Sequence, residues 1–221
     1  MANKVKILDV LSLTHNVKRI KTEKPNGYQF TPGQATEVAI NKKDWTEEKR
    51  PFTFTSLPDE DHLEFVIKTY HDHNGVTNEI DSLVEGDELI IDDAWGAIEY
   101  KGTGTFIAGG AGITPFIAIF RDLEKKGEIG ENSLIFSNKT GDDVILESYF
   151  NDILGENFIS TLTHQNIEGH ENKMVDMDFL KRHIENFTQH FYVCGPDAMV
   201  KDVSKYLEML GANPEGITFE K

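Results

Sequence analysis

A change of hydrophobic period near residue 101 constrains the fold of this chain more than any other feature. Before it, apolar residues come in short alternating runs divided by turn residues; after it, short apolar runs alternate with helical stripes. Val5, Ile7, Leu11 and Leu13 share one parity, and Thr36, Val38 and Ile40 share another. Leu63, Phe65 and Ile67 alternate with Glu64 and Lys68, and Leu89 and Ile91 follow a Gly86-Asp87 turn. Pro32-Gly33, Pro58-Asp59 and Asn74-Gly75 punctuate the segment. Such spacing predicts an antiparallel barrel or sandwich. One short helix is expected over Thr77–Leu83, with Thr77 as its N-cap.

After Lys101-Gly102-Thr103-Gly104, the apolar run Thr105–Ala108 leads into Gly109-Gly110-Ala111-Gly112, and a helix follows from Pro115. Its Phe116, Ile119, Phe120 and Leu123 form one stripe. Strands at Ser133–Ser137, Phe158–Thr163, His190–Cys194 and Ile217–Glu220 then alternate with helices at Leu146–Leu154, Met177–Ile184 and Ala198–Leu210. That order implies a doubly wound parallel sheet. The expected organisation is two domains: an N-terminal antiparallel β-barrel over 1–101 and a C-terminal α/β domain over 102–221.

Composition excludes several classes. Of 221 residues, 38% are apolar and 27% charged, an ordinary globular balance. No run approaches the ~20 apolar residues of a membrane span, and MANKVKILDV has no signal-peptide core. A cytoplasmic protein with no membrane partner is expected. The single cysteine, Cys194, excludes an internal disulfide and a four-cysteine iron–sulfur cluster held by one chain. Redox chemistry here needs an organic cofactor or a partner's metal. The net charge is −16 and no basic stretch stands out, so no nucleic-acid partner is expected. The acidity serves solubility or a preference for basic or weakly charged protein partners. His71 and His73 lack further ligand spacing, so no metal site is expected.

Two loops of the second domain carry candidate chemistry. Gly109-Gly110-Ala111-Gly112-Ile113-Thr114-Pro115 lies between a predicted strand and helix. Glycines permit a tight turn and a close approach to a ligand. Thr114 suits the N-cap and Pro115 the first turn, and the N–H groups there suit a pyrophosphate. A merely tight β–α connection accounts for the same glycines, and the pattern is neither G-x-G-x-x-G nor a P-loop. Cys194-Gly195-Pro196 ends another strand, and in a parallel sheet it faces the same crevice. A lone cysteine is ordinarily a small buried hydrophobe. With no histidine partner evident for a thiol nucleophile, packing beside a nicotinamide ring suits it better.

In the first domain, Arg50-Pro51-Phe52-Thr53-Phe54-Thr55-Ser56 puts Arg50 and Phe52 on one strand face and Thr53 on the other. Arginine forks onto phosphate and an aromatic stacks on a flat ring, although Phe52 also suits a barrel core. Val66-Ile67-Lys68-Thr69-Tyr70 ends a strand, and Gly75-Val76-Thr77 opens the short helix.

Taken in order, Arg50-Pro51-Phe52-Thr53, Ile67-Lys68-Thr69-Tyr70, Gly75-Val76-Thr77, Gly109 to Pro115 and Cys194-Gly195-Pro196 resemble the ferredoxin–NADP⁺ reductase superfamily over nearly the whole chain. Leu83-Val84-Glu85-Gly86-Asp87 and Asn138-Lys139-Thr140 with Asp143-Val144-Ile145 are similar to its minor signatures. The resemblance implies a flavin on the barrel, FAD in preference to FMN, and NADPH or NADH as co-substrate on the sheet. It implies that Arg50 holds the flavin phosphate and that Phe52 stands where the family has a tyrosine against the ring. Thr53 replaces a serine near the reactive nitrogen. It further implies that Ile67, Lys68, Thr69 and Tyr70 line the flavin and that Gly75, Val76 and Thr77 cap its pyrophosphate. Gly110, Ala111, Gly112, Ile113, Thr114 and Pro115 frame the nicotinamide end together with Cys194, Gly195 and Pro196. Asn138 and Lys139 lie where a ribose 2′-substituent is read; Lys139 pairs with a 2′-phosphate or is simply solvated.

Glu220 matches a glutamate of the family, but the aromatic two positions later is absent, as the chain stops at Lys221. The resemblance therefore does not extend to how the flavin is shielded or how readily oxygen reaches it. The implied activity is hydride transfer between NAD(P)H and FAD, ordered by Thr53, Cys194 and Glu220. Electrons then pass to a carrier such as flavodoxin or ferredoxin, or to a small acceptor. An electron-supply component of an oxygenase, a small-quinone reductase, and a non-catalytic nucleotide-binding regulatory subunit are the alternatives.

Overall fold

The computed structural model describes residues 2–71, 75–96 and 98–219. It resolves into two compact units, Met1–Ala97 with Thr114–Asp122, and Ile98–Ile113 with Leu123–Lys221.

In the first unit, six strands form an antiparallel sheet: β1 (Asn3–Thr14), β2 (Val17–Glu23), β3 (Ala35–Ile40), β4 (Arg50–Thr53), β5 (His62–Lys68) and β6 (Glu88–Ile91). Their order is β4-β3-β6-β1-β2-β5, and a Phe54↔Phe65 bridge joins the two edges into a barrel. Val5, Ile7, Ile20, Val38, Ile40, Phe54, Phe65 and Ile67 fill the interior. Phe54 touches the rings of Tyr28, Phe30 and Phe65.

The shared parity expected for Val5, Ile7, Leu11 and Leu13 does not hold. Val5 and Ile7 are buried, whereas Leu11 is exposed and Val10 packs on the core. The β1–β2 register slips between Ile7 and Asp9 and again between Ser12 and Thr14. A bulge adds one residue, and one residue inverts the face of every side chain beyond it. The strand thus changes partner as it bends, from β6 at Asn3–Lys6 to β2.

The second unit is a parallel sheet of β7 (Gly104–Gly109), β8 (Ser133–Asn138), β9 (Phe158–Leu162), β10 (His190–Cys194) and β11 (Ile217–Phe219), in the order β11-β10-β7-β8-β9. The helices of this unit are α3 (Glu147–Leu154), α4 (Met177–His183) and α5 (Asp197–Met209); the short α1 (Val76–Ile80) and Thr114–Asp122 of α2 (Thr114–Lys126) belong to the first unit. Asp176 caps α4 by accepting from Phe179 N at 2.8 Å. One sheet face, with Ile107, Ile135, Phe191 and Val193, is buried by Phe179 and Leu180 of α4 and by Val203 and Leu207 of α5. Strands buried on both faces read as continuous apolar runs, which is why they stood out in the sequence.

Tyr192 ties the start of this unit together. Its ring stacks on Phe106, and its hydroxyl accepts from Lys101 N (2.9 Å) and Gly102 N (3.1 Å) while donating to Gly102 O (2.7 Å). Burial pushes the phenol pKa up, which keeps the proton on this donor. Tyr192→Phe leaves these main-chain groups without their partner. The expected cost is about 2 kcal/mol, seen as a fall in thermal midpoint of about 4–8 °C. An unchanged midpoint would show that water satisfies the turn equally well.

Candidate functional site

The flavin candidates occupy strand ends of the first unit. Along β4 burial deepens toward its end: Arg50 and Pro51 are exposed, Phe52 is half-buried against the core, and Thr53 is buried. β3 sets this register by pairing Thr36 with Phe52 and Val38 with Arg50. β4 runs into the Phe54↔Phe65 bridge, and β5 leaves that bridge toward Ile67, Lys68, Thr69 and Tyr70. The two candidate segments therefore flank one seam of the barrel. Ile67 and Thr69 are buried, while the Tyr70 ring is 43% exposed. Thr69 is held by its N–H and hydroxyl, both donating to Asn16 O at 2.8 and 3.2 Å. Arg50 Nη1 donates to Lys49 O at 2.6 Å and its Nη2 lies 3.9 Å from Glu48 Oε2, with the residue exposed.

Thr77 is not the N-cap of the short helix. Gly75 is, in an extended conformation with no side-chain cap, and its carbonyl accepts from Asn78 and Glu79. A side-chain cap was expected because hydroxyl residues favour that position; here the cap falls two residues earlier, and Val76 and Ile80 are buried. His71 contacts Asn78 Oδ1 (3.2 Å) and Thr69 Oγ1 (3.4 Å), while His73 lies outside the described residues.

The nucleotide candidates meet at one place in the second unit. From β7 the chain winds outward to β8 and β9, then returns to β10 on the other side of β7. The strand order reverses between β7 and β10, and a ligand crevice opens at the carboxyl ends of such strands. Cys194 pairs with Ala108 there, and Gly109 with Ser137. The two loops touch through backbone: a Cβ on Gly112 would lie 2.4 Å from Cys194 O, and one on Gly195 would lie 3.1 Å from Gly109 N. A Cβ on Gly109 would meet Met199 Sδ at 2.4 Å. Gly110 differs, with φ +53° and open space where its Cβ would stand. Gly109 and Gly112 are thus required by loop-to-loop packing, and Gly110 by a left-handed turn facing open space. Cys194 is 4% exposed.

Thr114 does not cap α2 either. Residues Gly110–Ile113 form a 3-10 turn, Ile113 occupies the cap position with helical dihedrals, and Thr114 is the first helical residue, followed by Pro115. The 3-10 turn continues the helix backward and displaces the hydroxyl from the capping site.

At the end of β8, Asn138 is 5% exposed and neither atom of its amide has a hydrogen-bond partner in the protein. Lys139 beside it is exposed. Glu220 lies outside the described residues.

Sequence reasoning missed several positioning residues. Asn132, fully buried, accepts from Gly104 N (3.0 Å) and donates to Ile129 O (2.8 Å), setting the start of β7. Arg121 of α2 donates to Thr55 O (2.8 Å) and Glu60 Oε1 (2.7 Å) and lies 3.4 Å from Glu64 Oε1, all within the first unit. Arg121 breaks no pattern on its helix, and only its distant partners distinguish it from a solvated arginine. Trp95, 41% exposed and bridged to Ala35, was equally unmarked.

The residues present fit a flavin and a nicotinamide nucleotide. An exposed guanidinium stands on β4, a crowded pair of glycine loops stands at the β7–β10 crossover, and an orphaned amide stands at the end of β8. Among the described residues, no helix is long and apolar enough to cross a membrane.

Comparisons with known proteins agree. Residues 2–102 match the family model of an FAD-binding domain, and residues 106–205 that of an oxidoreductase NAD-binding domain. The chain is 30% identical to a probable dihydroorotate dehydrogenase B (NAD(+)) electron transfer subunit of Pyrococcus horikoshii, over 100% of this chain and 79% of that protein. It is 26% identical to the reductase component of propane 2-monooxygenase from Rhodococcus jostii, covering 96% of this chain but spanning only 60% of the length of that relative. In fold it is similar to a ferredoxin NADP+ reductase from Neisseria gonorrhoeae with bound FAD and NADP, with TM-score 0.82 and 22% identity, covering 99% and 98% of the two chains. With an FAD-binding domain, an NAD-binding domain and a 30% identical match to the Pyrococcus subunit over the whole of this chain, the chain belongs to the ferredoxin–NADP⁺ reductase superfamily of flavoprotein oxidoreductases.

Proposed function

We propose that the chain oxidises NADH or NADPH by hydride transfer to FAD and delivers the electrons to a redox carrier protein. Residues 1–101 hold the flavin and 102–221 the nucleotide. Bound FAD takes two electrons as hydride and releases them singly, which is the chemistry that joins a nicotinamide to a one-electron carrier. The observation that supports the reading is the crossover between β7 and β10, where Gly109 and Gly112 stand against Cys194 and Gly195.

The protein supplies position. Arg50 binds the flavin phosphate, Phe52 packs on the ring, and the Thr53 hydroxyl lies near its reactive nitrogen. Ile67 to Tyr70 line the ring, and Gly75 to Thr77 meet the pyrophosphate. Cys194 holds the nicotinamide in place by contact, and most of the rate enhancement comes from such positioning. Asn138 and Lys139 serve the adenosine end. Arg50→Ala is expected to weaken FAD affinity about 30-fold, from losing about 2 kcal/mol of charge-assisted bonding, read by flavin titration of the apoprotein. Unchanged affinity would remove Arg50 from the site.

The carrier is a ferredoxin, a flavodoxin or the electron-accepting part of an oxygenase system. The relatives named as an electron transfer subunit and an oxygenase reductase component support a protein acceptor over a small quinone. The reading takes the protein as cytoplasmic, where NAD(P)H is supplied. An anaerobic absorbance spectrum before and after addition of NADH or NADPH tests it. Flavin bands that bleach are expected. A protein that stays colourless after reconstitution with FAD and with FMN overturns the reading in favour of a regulatory nucleotide-binding subunit.

A further inference from the structure

The turn after β8 decides which nicotinamide nucleotide the second unit accepts. In a doubly wound sheet the ribose 2′-substituent is read just beyond the second strand: an acidic side chain accepts from a 2′-hydroxyl, while an arginine accommodates a 2′-phosphate. Here that position is Lys139–Asp143, where the N–H and hydroxyl donors of Thr140 and the N–H of Gly141 are already committed, and Lys139 is the one exposed cation. Thr140 gives both its N–H (3.1 Å) and its hydroxyl (2.7 Å) to the Asp143 carboxylate. Gly141 N donates to Gln165 Oε1 at 2.7 Å. The loop after β9 closes over the same turn: His164 N donates to Lys139 O at 2.9 Å, and a Cβ on Gly141 would meet Ile167 at 3.0 Å.

Charge points the same way. The turn carries Asp142 and Asp143 against Lys139, and Glu168 is exposed on the covering loop. A 2′-phosphate is a dianion near neutral pH and only accepts hydrogen bonds. It would have to displace a carboxylate from Thr140 and would find no arginine in the turn. Like charges brought together are an effective means of rejecting a ligand. A 2′-hydroxyl, in contrast, donates to an aspartate at no charge cost.

We infer that this chain is specific for NADH, and that the Lys139–Asp143 turn, with Asp142 as its exposed acid, excludes the 2′-phosphate of NADPH. The inference rests on the nucleotide site proposed above. Two measurements test it: calorimetric affinity for NAD⁺ and for NADP⁺, and the rates of flavin reduction by NADH and by NADPH. NADH is expected to be favoured about 100-fold in kcat/KM, with NAD⁺ binding correspondingly tighter than NADP⁺. Asp142→Arg, at an exposed position outside the Thr140–Asp143 pair, is expected to shrink both ratios about tenfold by improving the phosphorylated nucleotide. Equal preference, preference for NADPH, or ratios unmoved in Asp142→Arg overturn the inference. Preferential NAD⁺ binding without flavin reduction upholds it and instead overturns the proposed reductase activity. Failure to bind either nucleotide overturns both.

Discussion

Replacing Gly112 by alanine is expected to slow flavin reduction by NADH at least about 100-fold. The new methyl carbon would lie 2.4 Å from the Cys194 carbonyl oxygen and 2.6 Å from Gly195 Cα, so backbone must move on one side or the other. Neither side has slack. Cys194 is paired with Ala108 in the middle of the sheet, and Gly195 itself stands against Gly109. The loops must part by about an ångström, and a misplacement of that size costs about two orders of magnitude in a reaction governed by positioning. Overpacking costs a further 1–3 kcal/mol or so in stability. Gly110→Ala is the informative comparison. It meets nothing within 4 Å and incurs only the strain of φ +53°, about 1 kcal/mol. Stopped-flow reduction of the two variants should show a loss under about tenfold for Gly110→Ala. If the two fall equally, the glycines serve to admit the nucleotide, and contact between the loops is not what sets the geometry.

Arg121→Ala is expected to cost about 3 kcal/mol and to lower the thermal midpoint by about 6–12 °C. Glu64 is 7% exposed, and its carboxylate is shared among Thr55 Oγ1 (2.9 Å), Arg121 (3.4 Å), Arg19 (3.7 Å) and Lys21 (4.0 Å). Arg121 also holds Glu60 and the Thr55 carbonyl. Removing it takes the guanidinium away from both Glu60 and Glu64, and the loss of that compensating charge is the origin of the cost. Arg121→Lys restores a charge but not the fork that serves three acceptors, so it should recover less than half of the difference. A midpoint within about 1 °C of the parent protein for Arg121→Ala would show that Arg19 and Lys21 suffice.

Local patterning made most of the architecture legible. The change of period at Lys101–Gly104 separated an antiparallel sheet from a parallel one because side-chain alternation and helical stripes are properties of neighbouring residues. His190–Cys194 matches β10 to the residue, and the other elements of the second unit fall within a residue or two of expectation. The two glycine loops that meet at the ends of β7 and β10 were likewise visible, since short motifs carry their own spacing.

What the sequence left open depends on contacts between distant residues. The bulges of β1 invert the exposure of Val10 and Leu11, and they arise from pairing with two different strands. The caps of α1 and α2 shift because burial of Val76, Ile80 and Ile113 outweighs a preferred hydroxyl at the helix start. Gly109 and Gly112 are set apart from Gly110 by Cys194, Pro196 and Met199 opposite them, residues far along the chain, and Gly110 by its left-handed backbone. The buried amide of Asn138 and the pairing of Arg121 with Glu60 and Glu64 have no local signature at all. The sequence by itself determined the layers, their order and the motifs at their edges. Only the tertiary structure decided which face each residue presents and which charges meet, because those outcomes are set by packing and desolvation between segments that the linear pattern does not bring together.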